Sequence, residues 1–360
     1  MQLVVNARFL NQRMTGVQRF AFEISKVLKV RFANRVEFVA PGCDRNKKLA
    51  AALDVKRIGK LKGQSWEQIE LVRYLHGTYD NKPLLLNLGS TSPYFYKNKI
   101  TTLHDIAYTV NPRWFSWKFT LWYKFLIPQL LKTSRKVITV SKFSKDQISD
   151  YYGVPKSKIE VVYNAVSDIF KQSQSTSVDQ TQPFFLTVCS LSPRKNLKRT
   201  LEAFELVRTT RPEVKLVVVG EQRLKPFAKY DLKELLQAPN VVLKGYVSDQ
   251  EIVNLYGKAS AFIFTSLYEG FGIPPLEAAA MGCPSVVSNV TAMPEVLRDS
   301  VCYCDPVNVE DIALSMQKLL ENPEYREDLI ERGYQNLKRF DWELSADKVC
   351  QMVDQLNVRQ

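Results

Sequence analysis

The segment Thr265-Ser-Leu-Tyr-Glu-Gly-Phe-Gly-Ile-Pro-Pro-Leu-Glu277 carries the densest chemistry in the chain. It reads as a strand that ends in a Gly-Phe-Gly turn, with a helix opening at the two prolines. A glycine turn lets backbone N–H groups approach an oxyanion, and the N-terminus of the following helix adds a partial positive charge of about 0.5 e. Gly270, Phe271, Gly272 and Ile273 therefore suit a phosphate group. Two carboxylates bracket the turn, Glu269 at its entrance and Glu277 on the helix behind, placed to meet different parts of a ligand. Taken alone, the glycines would be turn residues and Glu277 a solvated helix residue. The spacing is neither GxGxxG, since Pro275 stands where the third glycine would, nor GxxxxGK[ST], so dinucleotide oxidoreductases and P-loop enzymes lose support.

Two further groups have the right company. The run Phe184–Cys189 leads into Ser-Leu-Ser-Pro-Arg194-Lys195-Asn196 and then a helix, which sets two adjacent cations at the carboxyl end of a strand. Ligands of open parallel sheets bind at that edge, and Arg with Lys can neutralise a diphosphate. Cations at a helix start oppose its dipole, a conflict that an anionic ligand would resolve. Earlier in the chain, Thr101-Thr-Leu-His104-Asp105 ends another apolar strand, and His104 is one of only two histidines. A strand-terminal His-Asp suits proton handling or contact with a hydroxyl. There is no Asp-x-Asp, no His/Cys cluster and no HExxH, so no metal clamp is signalled and charge neutralisation falls to side chains and backbone.

The elements that must position these groups alternate short apolar runs with helical periodicity, the pattern of parallel sheets with crossover helices. Strands are expected at Leu3–Ala7, Val36–Ala40, Leu84–Leu88, Ile100–His104, Lys136–Val140 and Glu160–Asn164. A second set is expected at Phe184–Cys189, Leu216–Gly220, Val241–Gly245, Ala261–Ser266, Ser285–Ser288 and Val301–Cys304. Helices are expected through Val17–Leu28, after the capping box Ser248-Asp-Gln-Glu251, from Pro274 to Gly282, and over Trp342–Leu356. The polar stretch Lys171–Gln182 has linker composition. The chain of 360 residues exceeds an ordinary single core and divides accordingly: a domain at 1–164, a linker at 165–182, a second domain at 183–342, and a last helix at about 343–360.

The formal charge of +13 is uneven. Residues 1–164 hold 28 Lys/Arg against 11 Asp/Glu, while residues 165–360 hold 22 against 26, so the basic excess belongs to the first domain. Six cysteines without a CxxC pair read as reduced thiols, and the N-terminus lacks the pattern of a cleaved leader, so a cytoplasmic protein is expected. The greasiest stretch, Phe119–Leu131, contains Lys124 and Pro128 and is shorter than the ~20 apolar residues that span a bilayer.

Together these residues resemble the retaining glycosyltransferases of family four, also called group 1 transferases, along nearly the whole chain. The resemblance rests on Thr15-Gly16-Val17-Gln18-Arg19, Leu103-His104-Asp105, Val140-Ser141-Lys-Phe-Ser144, Tyr163-Asn164-Ala165, Pro193-Arg194-Lys195-Asn196, Gly245-Tyr246-Val247-Ser248, Glu269-x7-Glu277 and Phe340-Asp-Trp342. It implies the GT-B fold: α/β, two facing Rossmann-like domains with parallel sheets, an interdomain cleft, and a C-terminal helix crossing back to the N-domain. It also implies site roles. Gly16, Arg194, Lys195 and the Gly270–Ile273 backbone would hold the donor's diphosphate, and Glu269 the transferred sugar's hydroxyls. Glu277 would reach the ribose, Tyr246 and Val247 would flank the base, and His104 would lie between donor sugar and acceptor, with Asp105 and Arg19 on the acceptor side. Where many members carry Gly-Arg, this chain has Ser190-Leu191, so Arg194 must supply that charge.

The reaction so implied is hexosyl transfer, mannosyl favoured, from a nucleotide-diphosphate sugar such as GDP-mannose, with no cofactor or metal. The acceptor would be a saccharide or a polyprenyl-diphosphate-linked sugar in bacterial O-antigen or capsule assembly. The stretch Trp114–Lys132 interleaves aromatics with cations, which fits either core packing or a helix in the interface of an anionic membrane. Other readings are a GT-B-fold epimerase or phosphorylase, a transferase with a soluble acceptor, and a nucleic-acid-binding protein; the last lacks any recognised binding module.

Overall fold

The computed structural model describes residues 2–42, 45–172, 183–220 and 232–358. The chain divides into two compact units, Met1–Asn164 with Asp341–Gln360, and Ala165–Phe340.

The first unit is built on a seven-stranded parallel sheet: β1 (Leu3–Asn6), β2 (Val36–Ala40), β3 (Lys56–Arg57), β4 (Leu84–Asn87), β5 (Lys99–Thr102), β6 (Lys136–Thr139) and β7 (Ile159–Val161). Their order is β3-β2-β1-β4-β5-β6-β7, so the winding reverses between β1 and β4, where Leu3 pairs with both Val36 and Leu84. Strands such as LVVN and LLLN are buried at every position because helices cover both faces of a parallel sheet. The two-residue β3 is an exposed, charged edge strand with no apolar pattern to betray it.

Helix α1 (Gly16–Phe32) begins with a Thr15/Gln18 capping box and buries Phe20, Ala21, Ile24, Val27 and Leu28. The C-terminal helix, Trp342–Val358, packs on α1 with the Trp342 ring edge-on to Phe20 at 6.1 Å. It is tied down by Ser345 Oγ donating to the Tyr163 carbonyl (2.7 Å) and by Arg135 Nη2 donating to the Leu356 carbonyl (3.1 Å). Helix α2 (Trp117–Thr133) buries Leu126, Ile127, Leu130 and Leu131 against Val137, Ile148 and Ile159. Its other side is exposed and aromatic, at Trp117 (71%), Leu121, Trp122 and Phe125 (62%). Among the described residues no helix is long and apolar enough to cross a membrane.

The second unit holds a six-stranded parallel sheet: β8 (Phe184–Val188), β9 (Lys215–Val219), β10 (Val241–Gly245), β11 (Ala261–Phe264), β12 (Ser285–Ser288) and β13 (Cys302–Cys304). The order β10-β9-β8-β11-β12-β13 reverses between β8 and β11. Its helices include α3 (Asp168–Gln172), α4 (Leu197–Thr210), α5 (Asp249–Lys258), α6 (Ile273–Ala280) and α7 (Val309–Glu321). Phe185, Leu201, Phe204, Ile263, Val286, Ile312 and Met316 form its core.

The start of the expected linker is not one. Residues 165–172 belong to the second unit, because Val166 and Phe170 are apolar enough to bury and Phe170 meets Tyr256 edge-on at 6.0 Å. Residues 173–182, the remainder of that segment, lie outside the described residues.

Candidate active site

In an open parallel sheet, side chains beyond the carboxyl ends of the strands where the winding reverses surround a crevice that neither flanking helix layer fills. The loops after β8 and β11 meet at that point of the second unit. Asn196, in the left-handed region at φ 58°, starts α4 and donates from Nδ2 to the carbonyls of Thr265 (3.0 Å) and Pro306 (2.6 Å). The Leu267 N–H donates to the Arg194 carbonyl at 2.8 Å, which stitches the two loops together.

That scaffold brings Arg194, Lys195 and Glu269 into one cluster. Arg194 Nη1 donates to the Tyr268 carbonyl (2.8 Å) and to Glu269 Oε2 (3.0 Å), and Lys195 Nζ donates to Glu269 Oε1 (2.6 Å). Lys195 Nζ also lies 5.1 Å from the centre of the Phe264 ring. Glu269 is 8% exposed. Burial alone would raise its carboxyl, but Arg194 and Lys195 outweigh that and hold it down at about 2. The cluster thus sums to one positive charge, with a glutamate already meeting the cations that the sequence left facing a ligand. Seventy-four residues separate Lys195 from Glu269, so no local spacing announces the pairing.

The Gly-Phe-Gly turn follows directly. Gly272 stands at φ 98° and caps α6, whose first turn holds Pro274 and Pro275, where missing N–H groups cost no helical bond. A Cβ on Gly272 would come within 2.6 Å of Met293 Cε. Glu277, in the second turn of α6, receives the Tyr256 hydroxyl at 3.5 Å. Tyr246, exposed, and Val247, half-buried, follow the end of β10. Leu191, at the departure from the family pattern, packs on the hydrophobic core, and the cations of this loop that reach Glu269 are Arg194 and Lys195.

In the first unit, His104 follows β5 and is buried. Its Nε2 lies 3.1 Å from the Leu88 carbonyl, which can only accept, so the ring proton sits on Nε2 and Nδ1 keeps a lone pair. Burial lowers its pKa and favours this neutral form. The ring packs edge-on against Phe20 of α1 at 5.1 Å. Asp105 is turned to local structure, its Oδ1 accepting from the Ala107 N–H at 3.0 Å. Gly16, exposed, and Arg19, half-buried, lie in the first turn of α1.

A second constellation lies at the reversal point of this sheet and escaped the reading of the sequence. Asn6, ending β1, donates to Asn87 Oδ1 at the end of β4 (3.0 Å) and to Glu67 Oε2 (2.9 Å). Arg8 Nε donates to the same Glu67 oxygen (3.0 Å), and its Nη2 donates to Thr91 Oγ1 (2.7 Å). The available signal was a pair of strands, LVVN and LLLN, that each end on asparagine. Among the described residues, no three His, Cys, Asp or Glu side chains are grouped to hold a metal ion.

Known proteins share this chain's sequence pattern and its fold. Family models for glycosyl transferases group 1 and for glycosyltransferase family 4 match residues 168–336 and 14–168, respectively. The chain is 30% identical over 261 residues to O-antigen chain mannosyltransferase B of Escherichia coli, covering 70% of this chain and 68% of that one. It is 30% identical over 275 residues to the Salmonella typhimurium O-antigen chain mannosyltransferase RfbU, covering 76% and 73%. It therefore belongs to the group 1, family 4 glycosyltransferases. Among solved structures, Anabaena HepE in complex with UDP and glucose superposes with a TM-score of 0.77 at 18% identity, over 99% of this chain and 100% of that one. A Rickettsia africae glycosyltransferase superposes with a TM-score of 0.74 at 18% identity, over 99% and 98%. The fold is GT-B, as the sequence implied.

Proposed function

We propose that this glycosyltransferase is a retaining, metal-independent mannosyltransferase using GDP-mannose, with a saccharide acceptor carried on a lipid diphosphate for O-antigen or capsule. The observation that carries the reading is the Arg194–Lys195–Glu269 cluster beside the 270–273 turn. As the bond from sugar to nucleotide breaks, negative charge grows on the diphosphate and positive charge on the anomeric carbon. An ammonium has three donors and a guanidinium five, so Lys195 and Arg194 can hold Glu269 and still bind phosphate oxygens. The turn's N–H groups, the N-terminus of α6 and Gly16 share that load. Glu269, kept ionised by its two partners, accepts from hydroxyls of the transferred sugar. Glu277 takes the ribose, Tyr246 and Val247 flank the base, and the neutral His104 offers Nδ1 to a hydroxyl, with Asp105 and Arg19 on the acceptor side. Same-face attack, the family's favoured route, needs no further nucleophile.

The two relatives named for O-antigen mannosyl transfer support the choice of sugar and acceptor class. A thermal-shift panel of GDP-, UDP- and dTDP-sugars tests it: a donor that binds only the folded chain raises the melting temperature by mass action. A shift with GDP-mannose is expected, and its absence across the panel overturns the donor assignment. Incubation with nucleotide sugar alone separates transfer from epimerisation, because an epimerase needs no acceptor.

The exposed aromatic side of α2, with Phe95 nearby in the same unit and Lys118 and Lys124 on the same helix, supports docking on the anionic inner face of the plasma membrane. Co-sedimentation with anionic liposomes that falls with salt is expected; indifference to lipid charge and to salt defeats this part.

A further inference from the structure

The loop that leaves β12 supplies none of the groups proposed to meet the donor, yet it reaches the donor turn at both ends. The Glu269 N–H donates to Thr291 Oγ1 at 3.2 Å, and Met293 packs on Gly272 so closely that a Cβ there would meet its Cε at 2.6 Å. Ser288 Oγ donates to the Ser266 carbonyl at 2.8 Å, so the same segment also holds the approach to the turn.

Thr291 makes its contact from a costly conformation. Its φ is 62°, in the left-handed region, and among the described non-glycine residues with positive φ it alone is branched at Cβ. Asn and Asp tolerate that region because their side chains bond locally, whereas a β-branched residue there is a true outlier. Glycine would relieve the strain but has no hydroxyl. Valine would fill the same space, so packing alone does not call for the oxygen. Backbone strain of this kind persists where the surroundings over-determine it, and it clusters at sites of function. What the threonine returns is one hydrogen bond, to the main chain of the residue whose carboxylate lies between Arg194 and Lys195. With that N–H held, Glu269 is fixed where its two oxygens meet the two cations.

We propose that Thr291 is a positioning residue for transfer, acting through Glu269, and that its strained backbone is kept for the sake of its hydroxyl oxygen. The proposal rests on the reading of Glu269 as the group that meets the transferred sugar. Thr291 itself touches neither sugar nor phosphate in this scheme; it sets the place from which Glu269 does so.

The test takes three variants of the full chain. Thr291→Gly removes strain and oxygen together, Thr291→Val removes the oxygen alone, and Thr291→Ser keeps it. Turnover is read as GDP release from GDP-mannose, with methyl α-mannopyranoside as the acceptor probe. Thr291→Gly and Thr291→Val should each lower kcat about tenfold, the value of one hydrogen bond, with donor KM within about twofold and Thr291→Ser within about threefold of wild type. Thr291→Gly should keep the wild-type melting temperature, and it carries the test if Thr291→Val does not fold. A second readout needs no donor: with 13C-labelled glutamate, the Glu269 carboxyl at about pH 4 should be ionised in the wild type and in Thr291→Ser but partly protonated in Thr291→Gly, where its hold on the cations is loosened. The proposal is overturned by wild-type kcat in folded Thr291→Gly, by an equal loss in Thr291→Ser, by a fall in melting temperature that tracks the loss of turnover, or by a Glu269 carboxyl that stays ionised in Thr291→Gly. A wild type that releases no GDP from GDP-mannose strikes the donor assignment instead, and the carboxyl readout still decides the role of Thr291.

Discussion

The two units solve the same topological problem with opposite electrostatics. Each sheet reverses its winding once, and each places an Arg–Glu pair beyond the reversal, Arg8 with Glu67 in the first unit and Arg194 with Glu269 in the second. One added residue separates them. Lys195 joins the second pair and leaves a net positive charge beside a helix N-terminus, whereas Asn6, Asn87 and Thr91 join the first and leave it neutral. The first glutamate is sealed, its Oε2 bonded and its Oε1 without a hydrogen-bond partner among the described residues, and the second is saturated by two cations. An identical pair is therefore left neutral or net positive by what stands next to it.

The largest way to break the comparison is to unpair the buried member. Glu67→Leu leaves the half-buried Arg8 without its carboxylate and should cost about 2–3 kcal/mol in urea unfolding, while Arg8→Met combined with Glu67→Leu should recover much of that loss. Equal instability of the single and double variants would show that the pair is not coupled. In the second unit the effect should be on rate instead. Lys195→Ala is expected to lower turnover by about 10²–10³ with the melting transition preserved, and near-normal turnover would remove Lys195 from the charge-stabilising set.

Acid probes the ion cluster of the second unit. Glu269 titrates at about 2 in the folded chain, below the ~4.3 of an unfolded glutamate, so the unfolded chain takes up its proton first as pH falls. The stability this group contributes is fully present above about pH 5, declines through about pH 4, and is gone below about pH 2. Denaturant midpoints of Glu269→Gln should therefore vary less between pH 5 and pH 3 than those of the parent; parallel profiles would contradict the ion cluster. The glycines give the mildest contrast. Gly272→Ala forces a side chain to φ 98° against Met293 and should cost about 1–2 kcal/mol. Gly89→Ala, in the lining of the crevice at the reversal of the first sheet with open space around its Cβ, should stay within about 0.5 kcal/mol.

The pattern of the sequence and the folded chain agree where structure is local. Apolar runs such as Leu84–Leu88 and Ser285–Ser288 become strands because a parallel strand is buried on both faces and shows no alternation to misread. The Ser248 cap on α5 and the prolines of α6 were equally plain, since each acts within one turn of helix. Long-range partnerships were not. Nothing near Asn6 indicates Glu67, and nothing near Lys195 indicates Glu269; only the order of strands brings them together. Lys56–Arg57 went unseen for a different reason, because a charged edge strand is defined by its neighbour's backbone and not by its own side chains.

The C-terminal helix has a consequence for how the chain is made. Phe20 lies between the His104 ring and the Trp342 ring, so one wall of the first unit is supplied by a segment that leaves the ribosome only after the second unit has been made. At 5–20 residues per second, the second unit takes roughly ten seconds or more to emerge in between. The first unit must wait with that aromatic face uncovered, and of the two units the one begun first is completed second.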